Sequence, residues 1–410
     1  MSAELKPENA LLASQTQQSA GEYLRAYLQR IRQGDIGALP IIIGLIIIAI
    51  IFQSANQNFL TPRNFVSLIL QMAGITTIAY GVVFVLLLGE IDLSIGYVSA
   101  VASVTIALLL RPPAAVPWFL AIPLGIGLGV LIGLLHGSII TFFQLPSFVV
   151  TLAGLLAWNG VVLILIGGAG TVIIQDQVVL GVANTFLPQG VGWILGIGGV
   201  VLFAFGQYST FQRRRSQGLP TKPVAIVVGQ IIFLAVVVVA VVYVTNLDRG
   251  LPLIGVGLIL MLIIWTYVAE RTRFGRYVYA VGGNKEAARR AGISTERIRI
   301  YVFMISSGMA AVGGIILASR LRSVDTNAGG GSILLNSIAA AVIGGTSLFG
   351  GAGKVSSALL GALIIASVDN GMGLLGLSSG VKFVVTGLVL LAAVVVDALA
   401  RRNQTKSGVR

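Results

Sequence analysis

The chain has 410 residues, of which 56% are hydrophobic and only 10% are charged, and its formal net charge is +13. Soluble domains carry about 25% charged residues, so this composition excludes a soluble enzyme, a disordered chain and a fibre, and it requires lipid as the solvent. The sequence has no Cys and one His, which excludes a disulfide framework and disfavours a metal site or a catalytic triad. We therefore expect no catalytic residue and no metal ligand in this chain.

Twelve apolar segments are candidates for membrane-spanning helices, which need about 20 mostly apolar residues. In chain order they are 39–55, 64–88, 93–110, 117–143, 147–167, 191–210, 224–245, 251–269, 300–319, 332–350, 355–372 and 381–398. The runs are continuously apolar rather than alternating, which favours helices over barrel strands. Because some runs can hold re-entrant pieces, we predict an all-α polytopic membrane protein with about 10–12 transmembrane helices and no soluble domain.

The basic residues indicate the orientation of these spans. With a cytoplasmic N-terminus, only six of the 27 Lys and Arg residues fall outside: Arg63, Arg111, Arg249, Arg320, Arg322 and Lys382. Cytoplasmic loops carry such an excess of positive charge. We expect a multi-pass protein of the inner or plasma membrane, surrounded by the lipid bilayer and binding no nucleic acid, with cytoplasmic tails at 1–38 and 401–410 and a transmembrane domain at 39–400.

Two features interrupt the regular pattern of spans. A mixed loop at 168–190 and a basic turn at 213–223 flank two spans, which predicts an extra hairpin at about 168–250. In addition, the segment from Gly89 to Gly96 (GEIDLSIG) and the segment from Gly344 to Gly351 (GGTSLFGG) share Gly, Leu and Gly at the same spacing. Three shared positions in a Gly-rich chain leave a parallel internal repeat and chance both open.

The longest charged cytoplasmic loop, 270–299, contains a short predicted helix. Asn284 is a good N-cap, the residues from Lys285 to Ala291 favour a helix, and Gly292 is suited to end it. A helix of two turns is marginal alone in water, so a contact must hold it. It is either a solvated basic turn that rests on lipid headgroups or a docking helix, whose small residues Ala287, Ala288 and Ala291 allow a partner to approach closely.

Polar residues within or beside the spans are candidates for a translocation pathway. They are Gln71, Glu90, Asp92, Ser94, Asn159, Asn336, Asp369 and Asn370. Acidic groups at membrane depth cost about 2.5–3.5 kcal/mol at a helix centre and less near its end. Asp92 can cap the third span or line the inner mouth of the pathway. The amides within the spans, Gln71, Asn159 and Asn336, can join helices or offer hydrogen bonds to sugar hydroxyls. Asp369, at the outer end of its helix, calls for a cation such as Lys382 or a partner protein, while His136 lies in a ladder of glycines and is expected to pack.

Several of these motifs together resemble one transporter family. Glu286-Ala287-Ala288, followed after three residues by Gly292, resembles the Glu-Ala-Ala-x-x-x-Gly loop of permease subunits in ATP-binding-cassette importers. The other motifs of the resemblance are Gly275-Arg276, Ala280 to Asn284, Glu90 to Ser94, Pro146 to Phe148, Thr151 to Gly154, Ile343 to Leu348 and Asp369 to Met372. They are similar to the monosaccharide permeases, and the extra hairpin makes the chain most similar to the D-xylose type.

The resemblance implies a function and a set of partners. It implies a permease that imports a monosaccharide by alternating access, with Asn284, Glu286, Ala287, Ala288 and Gly292 in the ATPase-coupling loop. The implied partners are a cytoplasmic ATPase that uses ATP, a periplasmic or extracellular sugar-binding protein and a second copy of the chain. Residues 350–354 (GGAGK) do not form a phosphate loop, because Leu348 replaces the first Gly and Val355 follows the Lys, so we expect no cofactor on this chain. The alternative is an ion-coupled secondary transporter of a small polar solute, which would need acidic residues at mid-membrane.

Overall fold

The structure is a computed structural model that describes residues 39–406, with side chains through residue 392 and at Val395, together with the isolated positions Gly21 and Arg25. The predicted tail at 1–38 otherwise lies outside the described residues. Fifteen α-helices are described within 39–406: α1 (Leu39–Ala55), α2 (Pro62–Leu87), α3 (Ile95–Leu110), α4 (Trp118–Phe142), α5 (Ser147–Ile166), α6 (Gln177–Asn184), α7 (Gln189–Ser216), α8 (Val224–Asn246), α9 (Leu253–Arg271), α10 (Arg273–Gly283), α11 (Lys285–Arg290), α12 (Thr295–Leu321), α13 (Ile333–Ile343), α14 (Val355–Leu374) and α15 (Ser379–Lys406). A 3₁₀ turn (Gly167–Ala169) and four short strands complete these elements: β1 (Thr171–Ile173), β2 (Phe186–Leu187), β3 (Leu251–Pro252) and β4 (Ser323–Asp325).

All twelve predicted spans contain a helix, and the all-α polytopic fold is confirmed. Within the described residues, eight helices are long and apolar enough to cross a membrane, namely α2, α4, α5, α7, α8, α9, α12 and α14. Four apolar helices are shorter: α1, α3, α13 and the apolar part of α15. Among them, α13 has 11 residues and rises about 16 Å, which is well short of the roughly 30 Å hydrocarbon core. The expectation of a span over all of 332–350 is therefore wrong in extent.

Backbone conformation explains why α13 ends early. Gly344 caps the helix, and a methyl group at this position would overlap the carbonyl oxygen of Ser357 at the start of α14. Gly345 follows with φ +94°, a left-handed value that ends a right-handed helix. The loop 344–354 then closes on itself, with the N–H of Ser347 donating to the carbonyl oxygen of Ala352 at 2.8 Å.

The chain divides into two units. In the first, residues 187–251 form a hairpin of α7 and α8, whose helices approach where Gly196 faces Val238 and Val242. Three arginines, 213–215, lie in the last turn of α7, where the helix dipole favours positive charge. The second unit comprises 38–186 and 252–397 and contains the remaining helices up to residue 397.

In the second unit, α12 is the central helix and packs against α2, α3 and α4. The glycine ladder of α4 makes the closest approach possible. Methyl groups at Gly129, Gly133 and Gly137 would collide with the backbone of α12 near Ser307, Phe303 and Ile300, respectively. Small residues at this spacing let two membrane helices approach closely.

At one end of this unit, a strand pair joins the segment after α5 to the segment after α12. The strands β1 and β4 are antiparallel, with Val172 opposite Val324. Ser319 of α12 donates its Oγ hydrogen to the carbonyl oxygen of Leu180 in α6 and accepts the N–H of Ala183, both at 3.0 Å. The part of the predicted extra hairpin that precedes residue 187 thus contacts α12.

The starts of α3 and α13 lie side by side in the same unit. A methyl group at Gly329, shortly before α13, would overlap the carbonyl oxygen of Gly96, which lies in the first turn of α3. The segment before α3, residues 89–94, is not helical. Non-helical backbone between membrane helices is tolerated where protein or a cavity satisfies its polar groups. The contacts of this segment, described below, therefore fix the start of α3.

Candidate functional site

The helix predicted in loop 270–299 is present as α11. The Oδ1 atom of Asn284 accepts the N–H of Ala287 at 2.9 Å, which is the expected N-cap contact. At the other end Gly292 has φ +81°, and its N–H donates to the carbonyl oxygen of Arg289 at 3.0 Å. Local sequence therefore determines both ends of this short helix.

The faces of α11 differ from the expectation in one respect. Glu286, Ala287, Ala291 and Gly292 are exposed, whereas Ala288 is only 5% exposed. Ala288 turns toward the chain itself because its small side chain fits against the rest of the unit. The prediction that all three alanines face a partner is wrong for Ala288, and the free face consists of Ala287 and Ala291 with the charged residues beside them.

The base of the loop is fixed by α10. The hydroxyl of Tyr279 donates to the carbonyl oxygen of Gly353 at 2.8 Å and thereby joins α10 to the loop before α14. Burial, and secondarily the negative charge of Glu270, raises the pKa of Tyr279, so the phenol stays a donor. Glu270, Arg276, Tyr279 and Lys354 line an open cleft of about 460 Å³ at this point.

The acidic segment before α3 is buried in a hydrogen-bonded network. Asp92, 4% exposed, accepts the Ser94 N–H at 3.0 Å and the Ser94 hydroxyl at 2.6 Å through Oδ1. Ser94 Oγ lies 3.2 Å from Nδ1 of His136, and the indole N–H of Trp158 donates to Nε2 of the same ring at 3.0 Å. Because an indole N–H can only donate, Nε2 is the acceptor, and the proton of the neutral ring is on Nδ1.

This network changes the interpretation of Asp92. Ser94, not Asp92, occupies the N-cap position of α3, and Asp92 instead holds the Ser94 side chain and backbone. The Ser306 hydroxyl of α12 also approaches Asp92, at 3.4 Å from Oδ2. The carboxylate is thus surrounded by hydroxyl and amide donors. His136 packs and hydrogen-bonds, as expected.

Glu90 has a different partner. Its Oε1 lies 2.5 Å from a terminal nitrogen of Arg299, and the two side chains are 14% and 17% exposed. Arg299 lies in the second turn of α12, at the downstream end of loop 270–299. The ion pair therefore connects the segment before α3 with the downstream end of the loop that carries α11.

The predicted deep amides divide into a cluster and two separate residues. Asn370 of α14 and Asn64 of α2 exchange hydrogen bonds at 2.8 and 3.0 Å, and Asn370 also donates to Gln71 at 3.3 Å. Asn336 is 5% exposed, and its Oδ1 is buried without a hydrogen-bond partner. Asn159 is partly exposed on α5 and makes no side-chain hydrogen bond within the described part of the chain.

Asp369 is exposed near the end of α14, and Lys382 does not pair with it. Among the described side chains, ion pairs within 4.0 Å join Arg249 to Asp248 and Arg299 to Glu90. The described residues also contain no group of three or more His, Asp or Glu side chains that could hold a metal ion.

Sequence reasoning did not identify several side chains that contact the predicted residues. Asn64, Trp158, Ser306 and Arg299 complete the contacts described above, yet none was singled out from the sequence. Asn64 directly follows Pro62 and Arg63 at the start of a span, where a polar residue is common and indicates no particular partner. Arg299 belongs to a basic run. Only the packing of distant helices distinguishes these residues from their neighbours.

Comparisons with known proteins agree with this architecture. A family model described as branched-chain amino acid transport system / permease component matches residues 64–394. The xylose transport system permease protein of Escherichia coli (strain K12) is 37% identical over 350 residues, which cover 85% of this chain and 88% of that protein. The ribose import permease protein of Bacillus subtilis (strain 168) is 32% identical over 377 residues, with coverage of 92% and 98%.

The protein of Haemophilus influenzae (strain ATCC 51907 / DSM 11121 / KW20 / Rd) that is also named xylose transport system permease is 35% identical over 375 residues, covering 89% of this chain and 98% of its own. No solved structure matches. The family match covers most of the chain, and the relatives are similar along nearly their whole length. The chain therefore belongs to this family of permease components and is a multi-pass membrane transport protein rather than an enzyme.

Proposed function

We propose that the chain is the permease of an ATP-driven importer that moves a monosaccharide, D-xylose first among the candidates, into the cytoplasm by alternating access. Relatives that are 37% and 35% identical carry the name of xylose transport permeases. Ribose permeases, at 32% identity, keep another pentose among the candidates. Monosaccharides are neutral and rich in hydroxyl groups, so a pathway for them needs side chains that donate or accept hydrogen bonds.

The single observation that carries this proposal is α11 itself. It is a capped helix of six residues with one alanine buried against its own chain and the opposite face exposed. An isolated helix of this length does not persist in water, so its intramolecular contact and its caps maintain it. A free face with Ala287 and Ala291 allows close approach of a cytoplasmic ATPase. The numerous basic residues of 270–299 favour an acidic rim around that contact.

The polar residues support a pathway for a neutral solute. Asn64, Gln71 and Asn370 form an amide cluster between α2 and α14, and Asn336 has a carbonyl oxygen free to accept. Asp369 adds an exposed carboxylate on α14, and Asn159 adds a partly exposed amide on α5. We assign these residues to the lining or support of the pathway, with Asp92 and Ser94 at its cytoplasmic end and Glu90, which is paired with Arg299, supporting that end.

The remaining parts of the proposal follow from this role. ATP is hydrolysed on the separate ATPase subunit, a sugar-binding protein delivers the substrate outside, and a second copy of the chain completes the transporter. The basic loops support cytoplasmic N- and C-termini. The ion-coupled alternative is less favoured because Asp92 is enclosed by donors, whereas a coupling acid must exchange its ion.

Reconstitution tests the proposal directly. The chain is incorporated into proteoliposomes with its ATPase, and uptake of labelled xylose, ribose and galactose is measured with and without ATP and the sugar-binding protein. We expect saturable uptake of a pentose that requires both. Equal uptake by the chain alone, driven by a proton or sodium gradient, would establish the secondary-transporter alternative instead.

A further inference from the structure

Three separate chain segments meet through glycine backbone at one end of the second unit. The N–H of Gly351 donates to the carbonyl oxygen of Leu87, the last residue of α2, at 2.9 Å. A methyl group at Gly282, near the end of α10, would overlap that same carbonyl oxygen. A methyl group at Gly350 would lie 2.8 Å from the carbonyl oxygen of Gly282 and 2.9 Å from the nitrogen of Gly89. We call Gly89, Gly282, Gly350 and Gly351 the glycine junction.

The junction also brings together the two segments that share a Gly-Leu-Gly spacing. Gly89 begins the first segment and Gly350 and Gly351 end the second. Since no side chain separates them, the backbones are in direct contact. Closely packed groups have little room to yield, so a displacement of one segment passes to the others.

The stretch 87–94, from the last residue of α2 to the N-cap of α3, is held at two points by the loop that contains α11. Upstream of α11, Gly282 fits against Leu87, where this stretch begins. Downstream of α11, Arg299 pairs with Glu90 inside it. The two ends of the loop thus contact the same short stretch, and a movement of α11 relative to the bundle acts on this stretch from both sides.

From there, contacts lead to the start of α3. The Ile91 N–H donates to the hydroxyl of Ser147 and its carbonyl oxygen accepts from Thr151, each at 3.2 Å, which ties the segment to α5. Asp92 holds Ser94 at the start of α3, and Ser94 contacts His136 of α4. The segment therefore connects the loop with the cytoplasmic ends of three helices.

We propose that the stretch 87–94 transmits the displacement of α11 to the start of α3, with Gly282 and the Glu90–Arg299 pair as positioning residues. The inference rests on the proposed function, because it takes α11 as the contact with the ATPase. It assigns to these residues the coupling of ATP hydrolysis to sugar movement. They bind neither the sugar nor ATP.

Charge exchange provides the first test. Glu90→Arg, Arg299→Glu and the double variant are each reconstituted with the ATPase and the binding protein, and the number of sugar molecules transported per ATP hydrolysed is measured on assembled complexes. We expect each single variant to lower this ratio about tenfold, since allosteric coupling energies are typically 1–3 kcal/mol. We expect the double variant, which restores an ion pair, to recover most of it. A purely structural role would change the yield of complex and leave the ratio intact.

Two neighbouring glycines provide the matched second test. A methyl group at Gly282 meets Leu87, whereas one at Gly283 meets nothing within 4 Å. We expect Gly282→Ala to lower the transport ratio and Gly283→Ala to retain it. If Gly282→Ala prevents folding, the charge-exchange series decides alone.

The inference is overturned if the single charge variants transport with an unchanged ratio, or if the double variant fails to recover what they lose. Failure of the proposed function has a different signature, because the unaltered chain would then take up sugar without ATP or would not assemble with an ATPase.

Discussion

At the scale of single residues, backbone conformation at Gly292 is open to a sharp test. A φ of +81° is strongly disfavoured for a β-branched residue and tolerated by Asn. We expect Gly292→Val to shift the end of α11 and abolish sugar-stimulated ATPase activity of the assembled complex, while membrane insertion remains normal. Gly292→Asn is the matched control and should retain stimulation. Full stimulation with Val would show that α11 serves no coupling purpose.

The indole of Trp158 makes a second residue-scale prediction. Trp158→Phe removes the donor to Nε2 of His136 and leaves a buried ring nitrogen unpaired. Such a loss costs about 1–3 kcal/mol, so we expect lower thermal stability of the purified protein. Trp118→Phe is the control, because Trp118 is 42% exposed and stacks edge-on against Phe119. Equal stability of the two variants would contradict the hydrogen-bonded role of Trp158.

Residues whose environment is local were predictable from the sequence. The N-cap at Asn284 and the stop at Gly292 depend on neighbours within one helical turn, and both are present. The Glu90–Arg299 pair was not predictable, because nothing near either residue specifies which distant helix it meets. Ala288 shows the same limit, since a small residue can face a partner or its own chain with equal ease.

At the scale of elements, the glycine ladder of α4 predicts how closely α4 packs against α12. A methyl group at Gly133 collides with the backbone of α12 at Phe303 and Met304, whereas one at Gly127 on the same helix meets nothing within 4 Å. We expect Gly133→Ala to destabilise the folded protein by about 1–3 kcal/mol through overpacking. Gly127→Ala should be neutral or slightly stabilising, because Ala favours helix over Gly.

Thermal unfolding of both variants in the same detergent measures the difference. Similar melting temperatures for Gly133→Ala and Gly127→Ala would mean that α4 and α12 separate without cost, against the packing described here. The small-residue spacing was visible in the sequence. The identity of the facing helix was not, because the same spacing fits any close neighbour.

Hydropathy predicted where helices lie better than where they end. Eleven of the twelve helices that match predicted spans extend over nearly the whole apolar run that predicted them. The exception is α13, which stops at Ile343 inside the run 332–350. The residues beyond it are still apolar or small, so composition does not mark the change. Gly344 and Gly345 end the helix through their backbone geometry. Hydropathy alone does not register this geometry and therefore predicts a span that continues to residue 350.

At the scale of the whole molecule, contacts between loops show which segments of the second unit lie at the same end. Thr326 donates its N–H to Gly170 at one end of the second unit, whereas Gly351 contacts Leu87 at the other. The stretch between Thr326 and Gly351, which includes α13, thus passes from one end to the other although α13 itself is short. One passage between the two ends in this stretch is what the even number of crossings predicted from the basic residues requires.

The absence of cysteine makes this sidedness measurable without background. Gln175, Lys222, Ala352 and Ser378 are all exposed, and each is replaced singly by Cys in intact cells. We expect an impermeant thiol reagent to label Gln175→Cys and Ser378→Cys from outside, and Lys222→Cys and Ala352→Cys only after permeabilisation. The pair at 352 and 378 flanks α14 and tests whether α13 and its preceding segment return the chain to the cytoplasm. Labelling of Ala352→Cys from outside would show that they do not, and it would place the glycine junction and α11 on the wrong side for an ATPase that works in the cytoplasm.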